Sequence, residues 1–309
     1  MAVHRMRFLH ERAALLQATR SFFIHQGFLE VETPIRIPAP APEAHIEPEP
    51  AGAWFLQTSP ELAMKRLLAA GCTRIFQICK CFRRHERGAL HLPEMTMLEW
   101  YRSEADYRDL MTDCEALLTT LVPSRKLAVR GRAIDLTPPW PRLSLAEAFS
   151  RFASISLDQA LADDHFEETL VAEVEPQLGL DTPLFLCDYP ASLASLARLH
   201  PDNPGLAQRF ELYVHGIELA NGFSELTDAR EQRARFLQEQ KRIRQLGREP
   251  GPLPEAFLHD LAHMPPAAGI ALGVDRLVML CTGAERIDQV VAFPPPAAAF
   301  ADGVLISLI

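Results

Sequence analysis

Between Phe8 and Gly27 the apolar residues Phe8, Leu15, Leu16, Phe22 and Phe23 recur at helical spacing, and Gly27 stops the run. The pattern predicts an amphipathic N-terminal helix. FLEVETPIRIP then reads as a strand entering residues 38–50, where clustered prolines mark a surface loop. WFLQTSPELAMKRLLAAG predicts a short strand, a turn and a helix ended by Gly71. TRIFQICKCFRR and MTMLEWYR read as strands joined by the loop HERGALHLPE. One strand-like piece lies near 127–136, inside a mixed region with helices after it. FELYVHGIELANG reads as a hairpin turning at His215-Gly216. A charged helix follows from Thr227 to about Leu246, capped by Thr227 or Asp228 and stopped by Gly247. Finally AGIALG forms a strand that runs into the helix VDRLVMLCTG. Hairpins beside helices predict an α+β fold, an antiparallel sheet flanked by helices.

Composition narrows the function classes. A chain of 309 residues with 48% hydrophobic content can bury a sizeable core, and residues 1–309 are expected to form one domain. The formal charge of -9 argues against a broad grip on nucleic acid, which needs clustered Lys and Arg. It suits a basic small substrate better. The six cysteines, at 72, 79, 81, 114, 187 and 281, lack zinc-ligand or disulfide-framework spacing and are expected to be reduced thiols of a cytoplasmic protein. No transmembrane run or signal-peptide core is present, and the apolar C-terminal GVLISLI is too short to span a bilayer.

Three segments carry candidate chemistry. In the strand GIALG, Gly269, Ala271 and Gly273 share a nearly bare face that lets a flat or charged ligand approach the backbone. Arg276, one turn later, can meet a phosphate or stack on a base. In FRRHERGALHLPEMTMLEWY, Arg83 closes a strand beside a loop holding Glu86 and His91, and the return strand aligns Met95, Met97, Glu99 and Tyr101 by period two. In RFELYVHGIELANGFSEL, a two-residue turn pairs Tyr213 with Glu218. Glu211 and Glu218 thereby become diagonal neighbours on one face. Two such carboxylates with phosphate oxygens are a usual way to hold Mg²⁺, and Asn221 and Glu225 follow closely.

These segments resemble the ordered motifs of class II aminoacyl-tRNA synthetases. HQGFLEVETPIRIP is similar to motif 1, the hairpin around Arg83 to motif 2 and GIALGVDR to motif 3. TSPELAMKRLL, HLPEMTMLEWY and GIELANGFSELTDA resemble the lysyl subgroup. Within it the nearest resemblance is to lysyl-tRNA-synthetase paralogues that join (R)-β-lysine to elongation factor P. The likeness spans about residues 8–293. It implies ATP-dependent activation of (R)-β-lysine or lysine, with Mg²⁺, and transfer to a lysine of elongation factor P. It also implies homodimerisation through motif 1, without an anticodon-binding domain. By position it implies Arg83 and Arg276 as the catalytic cations on ATP, with Glu211 and Glu218 carrying the metal. It places His91, Glu86, His85 and Met95 in the ATP site. Ser59 and Glu61 would receive an amino group and Asn221 the carboxylate, with Glu225 and Tyr101 at the distal ammonium. Gly269 and Ala271 would form the pocket floor.

The chain departs from the family at three places around ATP. His85 stands where motif 2 usually has Glu, Leu92 where Asn follows the His, and Met95 where a Phe stacks on adenine. Ala271 replaces the glycine of lysyl-tRNA synthetases, as in the β-lysine ligases. Two alternatives follow from the same residues: a truncated lysyl-tRNA-synthetase-like enzyme acylating tRNA, and a catalytically degenerate regulatory or binding protein.

Overall fold

The structure is a computed structural model that describes residues 2–295; the C-terminal GVLISLI lies outside them. The elements begin with helix α1 (Ala2–His25), strand β1 (Leu29–Glu30) and strand β2 (Arg36–Ile37). The predicted single strand FLEVETPIRIP is therefore two. Pro34, which has no N–H to donate, separates a piece that joins the main sheet from one that does not. After the proline-rich loop come β3 (Pro50–Ala51), β4 (Trp54–Leu56) and α2 (Glu61–Ala69). Strands β5 (Arg74–Phe82) and β6 (Glu94–Ser103) form the expected hairpin, followed by α3 (Tyr107–Leu121). The region near 127–136 is a hairpin, β7 (Lys126–Val129) and β8 (Arg132–Asp135), where the sequence predicted one piece.

Next come β9 (Arg142–Ser144), α4 (Leu145–Phe152), α5 (Leu157–Ala162), α6 (Phe166–Thr169) and β10 (Leu184–Pro190). The last third holds β11 (Leu206–Val214), β12 (Ile217–Ser224), α7 (Ala229–Gln245), α8 (Glu255–Leu261), β13 (Ala267–Gly273) and α9 (Val274–Thr282). Asp228 caps α7 by accepting from Arg230 N at 2.8 Å and Glu231 N at 3.1 Å.

Eight strands form one sheet in the order β1-β5-β6-β13-β12-β11-β10-β9. Its central pairings are antiparallel, as expected, while the edge pairs β1–β5 and β9–β10 are parallel. The strands β2-β4-β3 make a small separate sheet. One face of the large sheet is closed by α1, α3 and α9 around a core that includes Phe23, Phe76, Trp100, Ile270 and Leu272. On the opposite face, a cluster from α2, α7 and α8 covers one end and a cluster from α4 to α6 covers the other. The gap between these two shoulders lies over the middle strands, where Asn221, Ala271 and Gly273 are only partly buried.

Two features fix how those strands present their side chains. His215 (φ 53°) and Gly216 (φ 71°) make the β11–β12 turn in the left-handed region, which glycine adopts freely and the preceding residue tolerates at a cost. Tyr213 pairs with Glu218 as expected, but Leu212 pairs with Ala220, so Leu219 is an extra residue on β12. This bulge lets Glu218 and Asn221 share a face despite their odd spacing. Helix α9 is anchored by Asp275, only 2% exposed. Arg12 of α1 donates to Asp275 Oδ1 at 2.6 Å, and Thr96 N of β6 donates to Oδ2 at 2.8 Å.

Candidate active site

The bare face predicted for β13 lines the gap. Gly269, Ala271 and Gly273 pair with Tyr101, Glu99 and Met97 of β6, while Ile270 and Leu272 are buried in the core behind. On the other side of β13, Ala271 pairs with Asn221 and Gly269 with Phe223. The floor of the site is thus a strand without bulk, walled by Glu99 and Tyr101 on one side and by β12 on the other. A Cβ placed on Gly269 would lie 2.1 Å from Tyr101 Cε1 and 2.3 Å from Glu225 Oε1. Only glycine lets those two groups close over the floor.

At one end sits a buried acidic cluster. Ser59 donates to Glu99 Oε1 at 2.6 Å, and Tyr101 OH donates to Glu99 Oε2 at 2.8 Å. Lys65, 1% exposed, reaches Glu61 Oε1 and Glu225 Oε2 at 2.5 Å each. Glu225 Oε1 is buried without a hydrogen-bond partner among the described residues. Burial lifts Glu225 to about 8 against the pull of Lys65, and lifts Glu99 to about 7 with help from the Glu61 charge. From the proline-rich loop, Glu43 joins them; burial raises it to about 7 although Arg83 opposes the shift.

The raised Glu99 has a consequence for stability. A carboxyl whose folded pKa lies above its unfolded value stabilises the fold fully below that unfolded value, and the contribution is lost as pH rises through the folded pKa. For Glu99 the window runs from 4.5 to about 7. Glu99→Gln cannot ionise, so its melting temperature is expected to gain on the wild type between about pH 5 and about pH 8. A gap that stays constant over that range would remove ionisation of Glu99 from the account.

At the other end are the cations. Arg276 donates from Nη1 to the Glu218 carbonyl at 2.6 Å and to Glu218 Oε2 at 3.2 Å, and from Nη2 to His91 Nε2. Burial and then the Arg276 charge push His91 down to about 4, so the imidazole is neutral and its Nε2 lone pair accepts. Burial works against ionised Glu218, but Arg276 holds its carboxyl below the ordinary range. Arg83 is partly buried, with Glu86 at 3.7 Å. Glu211 is already well held: Arg209 reaches Oε1 at 2.7 Å, and Tyr189 and Tyr213 reach Oε2 at 2.6 and 2.8 Å.

The structure thus gathers Arg83, Glu86, His91, Glu211, Glu218 and Arg276 with Ser59, Glu61, Tyr101, Asn221, Glu225, Gly269 and Ala271 along one sheet face. His85 is different. Its backbone is left-handed (φ 67°), its side chain is 45% exposed, and Nε2 turns to Glu47 at 3.8 Å, beside the Arg84–Glu47 pair at 2.9 Å. Glu86 fills the place toward Arg83 instead. Leu92 is buried in the core, and Met95 is half-buried on β6. Ser59 is engaged by Glu99, and Asn221 Nδ2 leans toward Glu211 Oε1 at 3.4 Å.

The sequence reading left four participants unassigned: Lys65, Arg209, Glu99 and Glu43. Lys65 follows Glu61 by four, the spacing that brings helical side chains together. Arg209 precedes Glu211 by two on one strand face. Glu99 lay on the aligned face but carried no role. Glu43 gave no signal beyond its place in a proline-rich loop.

Among the described residues no helix is long and apolar enough to cross a membrane. The described cysteines are free thiols, none more than partly exposed.

Comparison with known proteins shows the family. The profile of the family "tRNA synthetases class II (D, K and N)" matches residues 3–296. The chain is 41% identical to the "Elongation factor P--(R)-beta-lysine ligase" of Salmonella arizonae, over 92% of this chain and 94% of that protein. The protein of the same name from Klebsiella pneumoniae is also 41% identical with the same coverage, and that from Salmonella paratyphi B is 40% identical. With a sheet of this order, a glycine-floored strand leading into Arg276 and a motif match over nearly its whole length, the chain belongs to the class II tRNA synthetases of the D, K and N group.

Proposed function

We propose that this chain uses ATP to activate (R)-β-lysine, or lysine, as the aminoacyl adenylate, and then joins it to a lysine side chain of elongation factor P. The observation that carries the reading is the orphaned Glu225 Oε1, buried over Gly269 beside Tyr101 within a cluster of carboxyl groups. A buried carboxylate oxygen without a partner is costly, and an ammonium group is the ligand that repays it. Relatives named for a β-lysine ligase support the same choice of substrate.

In this reading Glu225 and Tyr101 hold the distal ammonium, and Glu61 with Glu43 attracts the other amino group. Asn221, with Arg209 beside it, orients the carboxylate. A carboxylate oxygen attacks the α-phosphorus of ATP, and pyrophosphate leaves. Arg83 and Arg276 stabilise the charge that builds on the phosphate oxygens. The lysine amine of the protein acceptor then attacks the adenylate carbonyl and AMP departs. No side chain acts as nucleophile, so catalysis rests on positioning and charge.

Among the described residues no group of three or more His, Cys, Asp or Glu side chains is placed to hold a metal alone. Glu218 offers hard oxygen donors, which fit Mg²⁺ when nucleotide oxygens complete the shell, and Glu211, whose oxygens already accept from Arg209, Tyr189 and Tyr213, would join it only through their remaining lone pairs. The ion would supply neutralising charge to the polyphosphate. Ala271, set between Glu99 and Asn221, adds one methyl to the pocket floor. A group of that size shifts preference by about 1–3 kcal/mol, a basis for favouring a β-amino acid. A homodimer across α1, β1 and β2 is supported by Ile24, Leu29 and Ile35, which are 56%, 59% and 44% exposed.

Mass spectrometry of elongation factor P, after incubation with the protein, ATP and each lysine isomer, tests the reading. The expected product carries one added lysyl or β-lysyl unit. Charged lysine tRNA with unmodified factor would replace it with the tRNA-acylating alternative, and absence of ATP–pyrophosphate exchange with every isomer would leave a binding protein.

A further inference from the structure

We infer that Lys65 is a positioning residue that sets the substrate selectivity of the pocket, a built-in buried cation that bridges Glu61 and Glu225 and fixes their places. The inference deepens the proposed function and rests on it for the identity of the substrate as a diammonium amino acid.

The geometry is unusual for a lysine. The side chain is 1% exposed, although an ammonium group is normally kept in water. Its Nζ lies 2.5 Å from Glu61 Oε1 and 2.5 Å from Glu225 Oε2, and 5.1 Å from the centre of the Phe223 ring. Glu61 lies one turn earlier on α2, whereas Glu225 follows β12, so a single ammonium ties a helix to the end of a strand. The two carboxylates assigned to different amino groups of the substrate therefore take their positions from one atom. Glu61 and Glu225 face Lys65 directly; Glu99 and Tyr101 act on Glu225 from across the pocket, and Glu43 acts on Glu61 from the proline-rich loop.

Charge counting gives this arrangement its meaning. Four carboxyl groups, Glu43, Glu61, Glu99 and Glu225, share this end of the pocket with one ammonium, Lys65, an excess of acid that suits a substrate with two ammonium groups. Without Lys65 the carboxyl of Glu225 would lose its direct counter-charge while keeping its burial, and burial favours the neutral acid. Burial already lifts Glu225 to about 8 with Lys65 in place, while the charges of Glu225 and Glu61 raise Lys65 against its own burial. The ammonium thus stays protonated, and it is what draws Glu225 toward ionisation.

The test compares wild type, Lys65→Met, Lys65→Gln and Lys65→Arg by ATP–pyrophosphate exchange with the lysine isomer that wild type activates. A same-length analogue lacking the distal ammonium serves as control, and pH is varied through about 6.5 to about 9.5. At neutral pH the Met and Gln variants are expected to show KM for the diammonium substrate raised about tenfold or more, with kcat changed far less. The KM ratio of variant to wild type, which cancels titration of the substrate itself, is expected to shrink as pH rises and Glu225 ionises unaided. Preference over the uncharged-tail analogue should fall, and Lys65→Arg should restore it. Gln renews hydrogen bonding without charge, so rescue by Gln would overturn the inference in favour of packing. A KM ratio equal to one, or raised equally at every pH, would overturn it as well. So would loss of folding in the Met and Gln variants alike, which would make Lys65 a structural ion. Failure of wild type itself to activate any diammonium amino acid would instead defeat the proposed function.

Discussion

Gly269→Ala is expected to lose amino-acid activation by about a hundredfold or more, because misplacing reacting groups by roughly 1 Å carries a penalty of that size. The added methyl would lie 2.1 Å from Tyr101 Cε1 and 2.3 Å from Glu225 Oε1, well inside any tolerable contact. Tyr101 is 3% exposed and packs in the cluster with Met64, Ile75 and Phe236, so its ring has nowhere to retreat. The carboxyl would have to move instead, pulling on Lys65. Overpacking of this kind typically also destabilises by about 1–3 kcal/mol. ATP–pyrophosphate exchange with saturating lysine isomer, alongside a urea melt, measures both effects. Exchange within threefold of wild type would show that the floor of β13 is not where the substrate lies.

Arg276→Ala is expected to reduce adenylate formation by about a thousandfold, the scale seen when a charge-stabilising group is removed from a phosphoryl or acyl transfer site. The fold should survive, because the neighbouring Asp275 carries the buried links to Arg12 and Thr96 while Arg276 contacts Glu218 and His91 at the rim of the gap. Exchange kinetics and a thermal melt separate the two contributions. Near-normal exchange would reassign the nucleotide site. If the rate fell in step with stability, the residue would be a strut for Glu218.

Much of this site could be read from residue order, and the parts that could not share a cause. Helical periodicity located α1, cap residues and Gly247 bounded α7, and period two aligned Met97, Glu99 and Tyr101 opposite the glycine strand. The turn at His215-Gly216 gave the Tyr213–Glu218 pairing. Register beyond that pair was lost at the bulge, since nothing local announces Leu219 as the extra residue that swings Asn221 onto the face of Glu218. Long-range electrostatics was equally invisible. A lysine in a helix reads as a solvated charge, and only the tertiary fold places Glu225 against Lys65 and closes Phe223 over it. His85 stood one place before the acidic Glu86, and only the left-handed backbone shows that it leaves Arg83 to Glu86. The strand FLEVETPIRIP failed at Pro34 for a simpler reason, the missing N–H, which the alternating pattern around it disguised.

The clamp on Asp275 bears on how errors would propagate through this fold. Consecutive helical residues project about 100° apart, so fixing one side chain fixes the aim of the next. Because Asp275 is held by Arg12, the direction in which Arg276 points is calibrated by α1, which packs with α9 in the core behind the pocket. The N-terminal helix is therefore a gunsight for the phosphate end of the pocket, and loss of the Arg12 side chain would disturb chemistry that α1 itself never touches.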